Sequence, residues 1–177
     1  MRKYLIYFYK NRTGQKGFSI IEILVVVSIL SIGLLATLEV TAFALKNSVI
    51  VKETNQAAKL ATETAEAVRN FRDGILWDND DPANKYDGLG VVTAGAAYHT
   101  EKSTDNPPKW QLIVGAQTID GFSRQVVFIN VSRDPTTQDI ETSYNPVNND
   151  SNTKKATITI TWGAKSIELV TYFTNFR

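Results

Sequence analysis

Few side chains in this sequence have the chemistry of a catalyst. Histidine occurs once, at His99, and cysteine not at all, which leaves little room for thiol nucleophiles or for a Cys/His metal site. No Ser or Thr stands in a nucleophile elbow, and neither an HExxH nor a Walker spacing occurs. Gly88, Gly90 and Gly95 miss the dinucleotide-binding spacing. The carboxylates of Asp78, Asp80, Asp81 and Asp87 offer oxygen ligands to calcium. Pro82, however, stands where an EF-hand loop needs Asp or Asn, and no bidentate Glu follows, so the segment reads as a solvated acidic turn. No enzyme, cofactor or metal is expected. The carboxylate that demands an explanation is Glu22, which lies inside an otherwise apolar run from Phe18 to about Leu45. At a bilayer centre such a charge costs on the order of 2.5 kcal/mol or more, so it needs a partner.

The element that positions Glu22 is the run itself, which exceeds the roughly 20 residues a helix needs to cross a bilayer. Ahead of it, residues 1–17 hold five basic side chains (Arg2, Lys3, Lys10, Arg12, Lys16) and no acidic one. The remaining 160 residues carry 14 basic against 18 acidic, a net of −4. That asymmetry keeps the leader cytoplasmic and exports the rest. It also argues against nucleic-acid contact, because the exported part lacks a basic excess.

Gly17-Phe18-Ser19-Ile20-Ile21-Glu22, followed by Ile23-Leu24-Val25-Val26-Val27, resembles the processing site of the type IV pilin and pseudopilin family. The resemblance implies that a prepilin peptidase cuts between Gly17 and Phe18 and N-methylates Phe18, and that Glu22 faces the N-terminal amine of a neighbouring subunit. It further implies a structural subunit, a minor pilin or pseudopilin. Such a subunit starts in the cytoplasmic (inner) membrane with its globular domain outside the cytoplasm and passes into a type IV pilus or type II secretion pseudopilus. The partners implied are the peptidase, other pilin or pseudopilin subunits and the membrane. The tail, Thr159 to Gly163 and Glu168 to Tyr172, is similar to minor pilins and to the I-type or PilV-like pseudopilins. Two departures stand out: without cysteine there is no disulfide-closed C-terminal loop, and no proline softens the span, leaving Gly33 for that role. Two other readings remain open. Ala42-Phe43-Ala44 would suit a signal peptidase, and a single-span anchored binding domain would never polymerise.

Within the span, Gly33, Thr37 and Thr41 lie four apart on one ridge, a small-residue face for helix packing in assembly. Glu39 sits near the outer end, within reach of water. From Lys46 to Arg72 there is no proline or glycine, and Ala57, Ala58, Leu60, Ala61, Ala65, Val68 and Phe71 recur near the helical period, so one helix is expected from about Phe18 to about Arg72. It should stop at Asp73-Gly74. Strands are expected at Trp110–Val114 and Arg124–Ser132, joined through Asp120-Gly121, and at Ala156–Trp162 and Ile167–Phe173, joined at Gly163-Ala164. Residues 132–155 read as a long exposed loop. The fold expected is α+β, a long N-terminal helix on a four-stranded antiparallel sheet, pilin-like. Its division is leader 1–17, transmembrane and assembly helix 18–45, and globular domain 46–177 including the second half of the helix.

Overall fold

The computed structural model describes residues 17–176; the leader ahead of Gly17 lies outside the described residues. Helix α1, Ile20–Gly74, starts where the Ser19 carbonyl accepts from the amides of Glu22 (3.0 Å) and Ile23 (3.2 Å). It ends on the glycine expected to stop it. The chain divides into two compact units at Val49/Ile50.

In the second unit six strands, all antiparallel, accompany the end of α1: β1 (Ala97–Lys102), β2 (Trp110–Val114), β3 (Gln117–Ile119), β4 (Phe122–Ser132), β5 (Asn149–Trp162) and β6 (Lys165–Thr174). Their order is β2-β1-β4-β5-β6, with β3 beside the start of β4. The α+β class is as expected, but the sheet has six strands, not four. Trp110–Val114 pairs with β1, from Tyr98↔Val114 to Lys102↔Trp110, and not with β4. The turn at Asp120-Gly121 is real, but it joins β3 to β4 through Ile119↔Phe122. Both turn residues have positive φ, 50° and 84°, the geometry whose twist matches a two-residue hairpin. Gly163-Ala164 turns β5 into β6 as expected, with Trp162↔Lys165 closing the hairpin.

The core follows from two periodicities. On β4, Phe122, Val126 and Phe128 face inward with Arg124 between them; on β5, Ala156, Ile158, Ile160 and Trp162 do the same. Against them α1 sets Ala57, Ala61, Thr64, Val68 and Phe71, spaced three or four apart on one stripe. The alanines bring the helix close, and the buried Thr64 hydroxyl donates to the Leu60 carbonyl at 2.7 Å, so no donor is stranded. Full burial of a side chain such as Phe128 or Ile158 contributes about 1.5–3 kcal/mol. Arg124 is 6 % exposed. Its guanidinium reaches Gln117 Oε1 (2.8 Å), the Thr100 carbonyl (2.8 Å) and Glu63 of α1 (3.8 Å), and burial pushes its pKa down against the opposing effect of Glu63 and Glu101.

Two connections matter. Between α1 and β1, Asp81 accepts from the amides of Ala83 (3.2 Å), Lys85 (3.0 Å) and Tyr86 (3.1 Å), and Asp87 accepts from the Asp81 amide (2.8 Å). The acidic loop thus turns at least two carboxylates onto its own backbone. Trp77 closes it: a Cβ on Gly88 would collide with the backbone carbonyls of Leu76 and Trp77, and one on Gly90 would lie 2.6 Å from the indole. The expected loop at 132–155 shrinks, because β5 begins at Asn149 and its polar start pairs with both neighbours. A register shift between Asn130 and Val131 absorbs the extra residues. Arg133–Asp150 (2.6 Å) and Lys154–Asn130 (2.6 Å) satisfy the polar side chains this half-buries.

Candidate functional site

The residues singled out for processing and assembly, Gly17, Phe18, Glu22, Gly33, Thr37 and Thr41, all fall in the first unit. Gly17 and Phe18 precede the helix and Phe18 is 79 % exposed. Glu22 lies in the first turn of α1, where the unsatisfied amides of a helix start favour a negative charge. Its carboxylate has no hydrogen-bond or ion-pair partner among the described residues. Every described residue through Val49 is exposed, and these include Ile20, Ile21, Leu24, Ile29, Leu30, Leu34, Leu35 and Phe43. So much uncovered apolar surface has no place in water. The helix is long and apolar enough to cross a membrane.

Four hydroxyls on this surface are handled in one way. Ser28 Oγ donates to the Leu24 carbonyl (2.7 Å), Ser31 Oγ to Val27 (2.7 Å), Thr37 Oγ1 to Leu34 (2.8 Å) and Thr41 Oγ1 to Thr37 (2.8 Å). Each hydroxyl is spent on the helix's own backbone, the arrangement an apolar solvent requires. Gly33 has open space where a Cβ would stand. One turn apart, Gly33, Thr37 and Thr41 share a ridge along which the helix surface is low.

No curated protein and no solved structure matches the chain. The family model for the prokaryotic N-terminal methylation motif matches residues 12–38, a span that contains Gly17, Phe18 and Glu22. That match supports the type IV pilin and pseudopilin family for this chain. The motif supports a pilin-like precursor of the kind a peptidase processes, and it implies a membrane-associated, assembling context. The α+β fold of the second unit, a helix on an antiparallel sheet, is pilin-like as well.

In the second unit the sheet is tied to the early part of its helix by Glu53. Its Oε2 accepts from Lys165 Nζ (2.9 Å) and Trp162 Nε1 (3.1 Å), and Lys165 lies 5.9 Å from the centroid of the Trp162 ring. The hydrogen bonds from Lys165 and then Trp162 hold the Glu53 carboxyl below its ordinary pKa. Nothing in the sequence pointed to this cluster, since Glu53 lies more than a hundred residues from Trp162 and Lys165 and shares no motif with them. A cavity on the same unit, between the outer face of β4–β6 and the segment 140–144, also escaped the sequence reading.

Proposed function

We propose that the protein is a minor pilin or pseudopilin, a structural subunit of a type IV pilus or type II secretion pseudopilus, and not an enzyme. Prepilin peptidase removes residues 1–17 by cutting between Gly17 and Phe18, and Phe18 is N-methylated. Residues 18–45 then hold the subunit in the cytoplasmic (inner) membrane, with residues 46–177 outside the cytoplasm, until the helix is drawn into a filament. The observation that carries this reading is Glu22. A carboxylate without a partner among the described residues, five residues into the mature chain on an apolar helix, is costly until it meets a positive charge. The Phe18 amine of a neighbouring subunit is such a charge, and it sets the register while apolar packing, with Gly33, Thr37 and Thr41 on one ridge, supplies cohesion.

Intact-mass and N-terminal peptide analysis of the protein from its native membrane tests processing. A chain that begins at N-methylated Phe18 is expected; one that begins after Ala44, or retains Met1, removes the proposal. Glu22→Ala is expected to be cut normally yet to be incorporated into filaments poorly, and normal incorporation would sink the register role. The alternative is a single-span anchored binding domain that never polymerises, for which no filament incorporation would be seen with either residue at position 22.

A further inference from the structure

Residues 18–51 hold only three ionisable side chains, Glu22, Glu39 and Lys46. All three lie on α1, within the first unit. Glu22 is answered, on the reading above, by a neighbour's Phe18 amine. That leaves one carboxylate and one cation, and the charges along this stretch balance pair by pair only if these two also meet. Glu39 is exposed among the exposed apolar side chains Leu35, Leu38, Val40 and Phe43. Neither Glu39 nor Lys46 has a hydrogen-bond or ion-pair partner among the described residues.

Helix geometry explains why the two do not pair within one chain. Seven residues separate them, about 10.5 Å along the axis, whereas side chains that touch along a helix are three or four apart. No residue three or four away from either one carries the opposite charge. Side chains also lean toward the helix N-terminus, so Glu39 leans away from Lys46. Yet seven residues fall only about 20° short of two full turns, and both therefore stand on one face. A carboxylate and an ammonium on one face, a fixed axial step apart, complement a parallel copy displaced by that step.

The sense of that displacement agrees with the contact at Glu22. Bringing a neighbour's Phe18 amine level with Glu22 requires a shift of four residues, about 6 Å, toward the C-terminus. Bringing a neighbour's Glu39 level with Lys46 requires seven in the same direction. The difference, about 4.5 Å, is spanned by the flexible lysine stem, which leans back toward the N-terminus. In a single chain Glu39 reaches water near the outer end of the span. Drawn in among other helices it does not, and a buried carboxylate is tolerated only with a charged, hydrogen-bonded partner.

We propose that Glu39 of one copy pairs with Lys46 of a neighbouring copy in the assembled filament, a second register contact beside that of Glu22 with the Phe18 amine. The pairing rests on the pilin reading and adds to it that copies of this chain stand next to one another, not only beside other subunits.

The test uses the full chain in the cells that assemble it. Because the chain has no cysteine, one chain carrying Glu39→Cys and one carrying Lys46→Cys are co-expressed and oxidised in sheared filaments. A disulfide-linked dimer joining positions 39 and 46 is expected from the mixture, and none from either variant alone. Charge reversal gives a second measurement. Glu39→Lys and Lys46→Glu are each expected to be cut after Gly17 but to enter filaments at about a tenth of the parent's level or less, and the double exchange is expected to recover most of the loss. A parent that enters filaments while the mixture gives no 39–46 dimer, or no more than one variant alone, overturns the pairing and leaves the pilin reading standing. So does a double exchange that assembles no better than the single changes. A parent chain never found in filaments removes both.

Discussion

Helix α1 carries two different surfaces along one continuous backbone. In Ile20 to Val49 the apolar side chains are uncovered and four hydroxyls fold back onto carbonyls of the preceding turn. From Ile50 onward the helix buries a stripe against the sheet, while Glu53 and Glu63 reach across to Lys165, Trp162 and Arg124. The same secondary structure is therefore maintained for two solvents. What changes is whether a side chain's partner is local or distant in the sequence. An apolar residue in the first region contributes to whatever the helix is inserted into; an equivalent residue in the second contributes to the fold of its own unit.

Truncation separates these roles most sharply. Phe71 is 1 % exposed in the core, and Phe71→Ala is expected to destabilise the second unit by about 3–5 kcal/mol. Leu30 is 66 % exposed, and Leu30→Ala is expected to leave the melting of that unit within about 0.5 kcal/mol of the parent. Chemical denaturation followed by tryptophan fluorescence checks both, since Trp77, Trp110 and Trp162 all lie in the second unit. Equal losses would break the comparison.

The next effect comes from the turn that follows α1. Gly88→Ala places a methyl group against the backbone carbonyls of Leu76 and Trp77, atoms that cannot swing away. The same denaturation assay is expected to show a loss of about 1–3 kcal/mol or more, whereas Gly33→Ala, in open space, is expected to leave the second unit unchanged.

Acid sharpens the contrast without mutation. Asp81 and Asp134 are held below the ordinary carboxylate pKa by hydrogen bonds from neighbouring amides. For Asp150 burial works in the opposite direction, but hydrogen bonds from Arg133, Thr153 and the Asn152 amide outweigh it and lower its pKa too. Because the folded values lie below the unfolded one, their stabilisation is fully present above the ordinary value of 3.8. It is lost as pH falls through the folded values. The second unit is therefore expected to lose stability below about pH 4, while the micelle-bound part of α1 before Ile50 keeps its helical circular-dichroism signal. The smallest effect belongs to the exposed Arg69–Glu66 pair (2.7 Å): Glu66→Ala is expected to change stability by no more than about 0.5 kcal/mol.

Much of this was legible in the chain because the signals are local. A run of apolar residues, a basic leader and one carboxylate at a set distance from Gly17-Phe18 can be read without knowing any contact. So can the end of α1 at Gly74 and the hairpin at Gly163-Ala164. Strand β1 was missed because Ala97–Lys102 turns only Tyr98 and Thr100 fully inward, too little to show an alternation. It is a strand because β2 and β4 flank it. The start of β5 reads as loop in the sequence because Asn149 to Lys155 is polar throughout. Pairing with β4 and β6 on both sides overrides that composition, and Arg133 and Asn130 receive its buried side chains.

By itself the sequence determined the class of the molecule: its family motif, the length and solvent of its first helical region, and the α+β make-up of the rest. Each of these depends on the order of neighbouring residues. The tertiary structure alone decided which strands pair and that Glu53 is shared by Trp162 and Lys165. Those arrangements join residues separated by tens of positions, and only the closure of the sheet brings them within hydrogen-bonding distance.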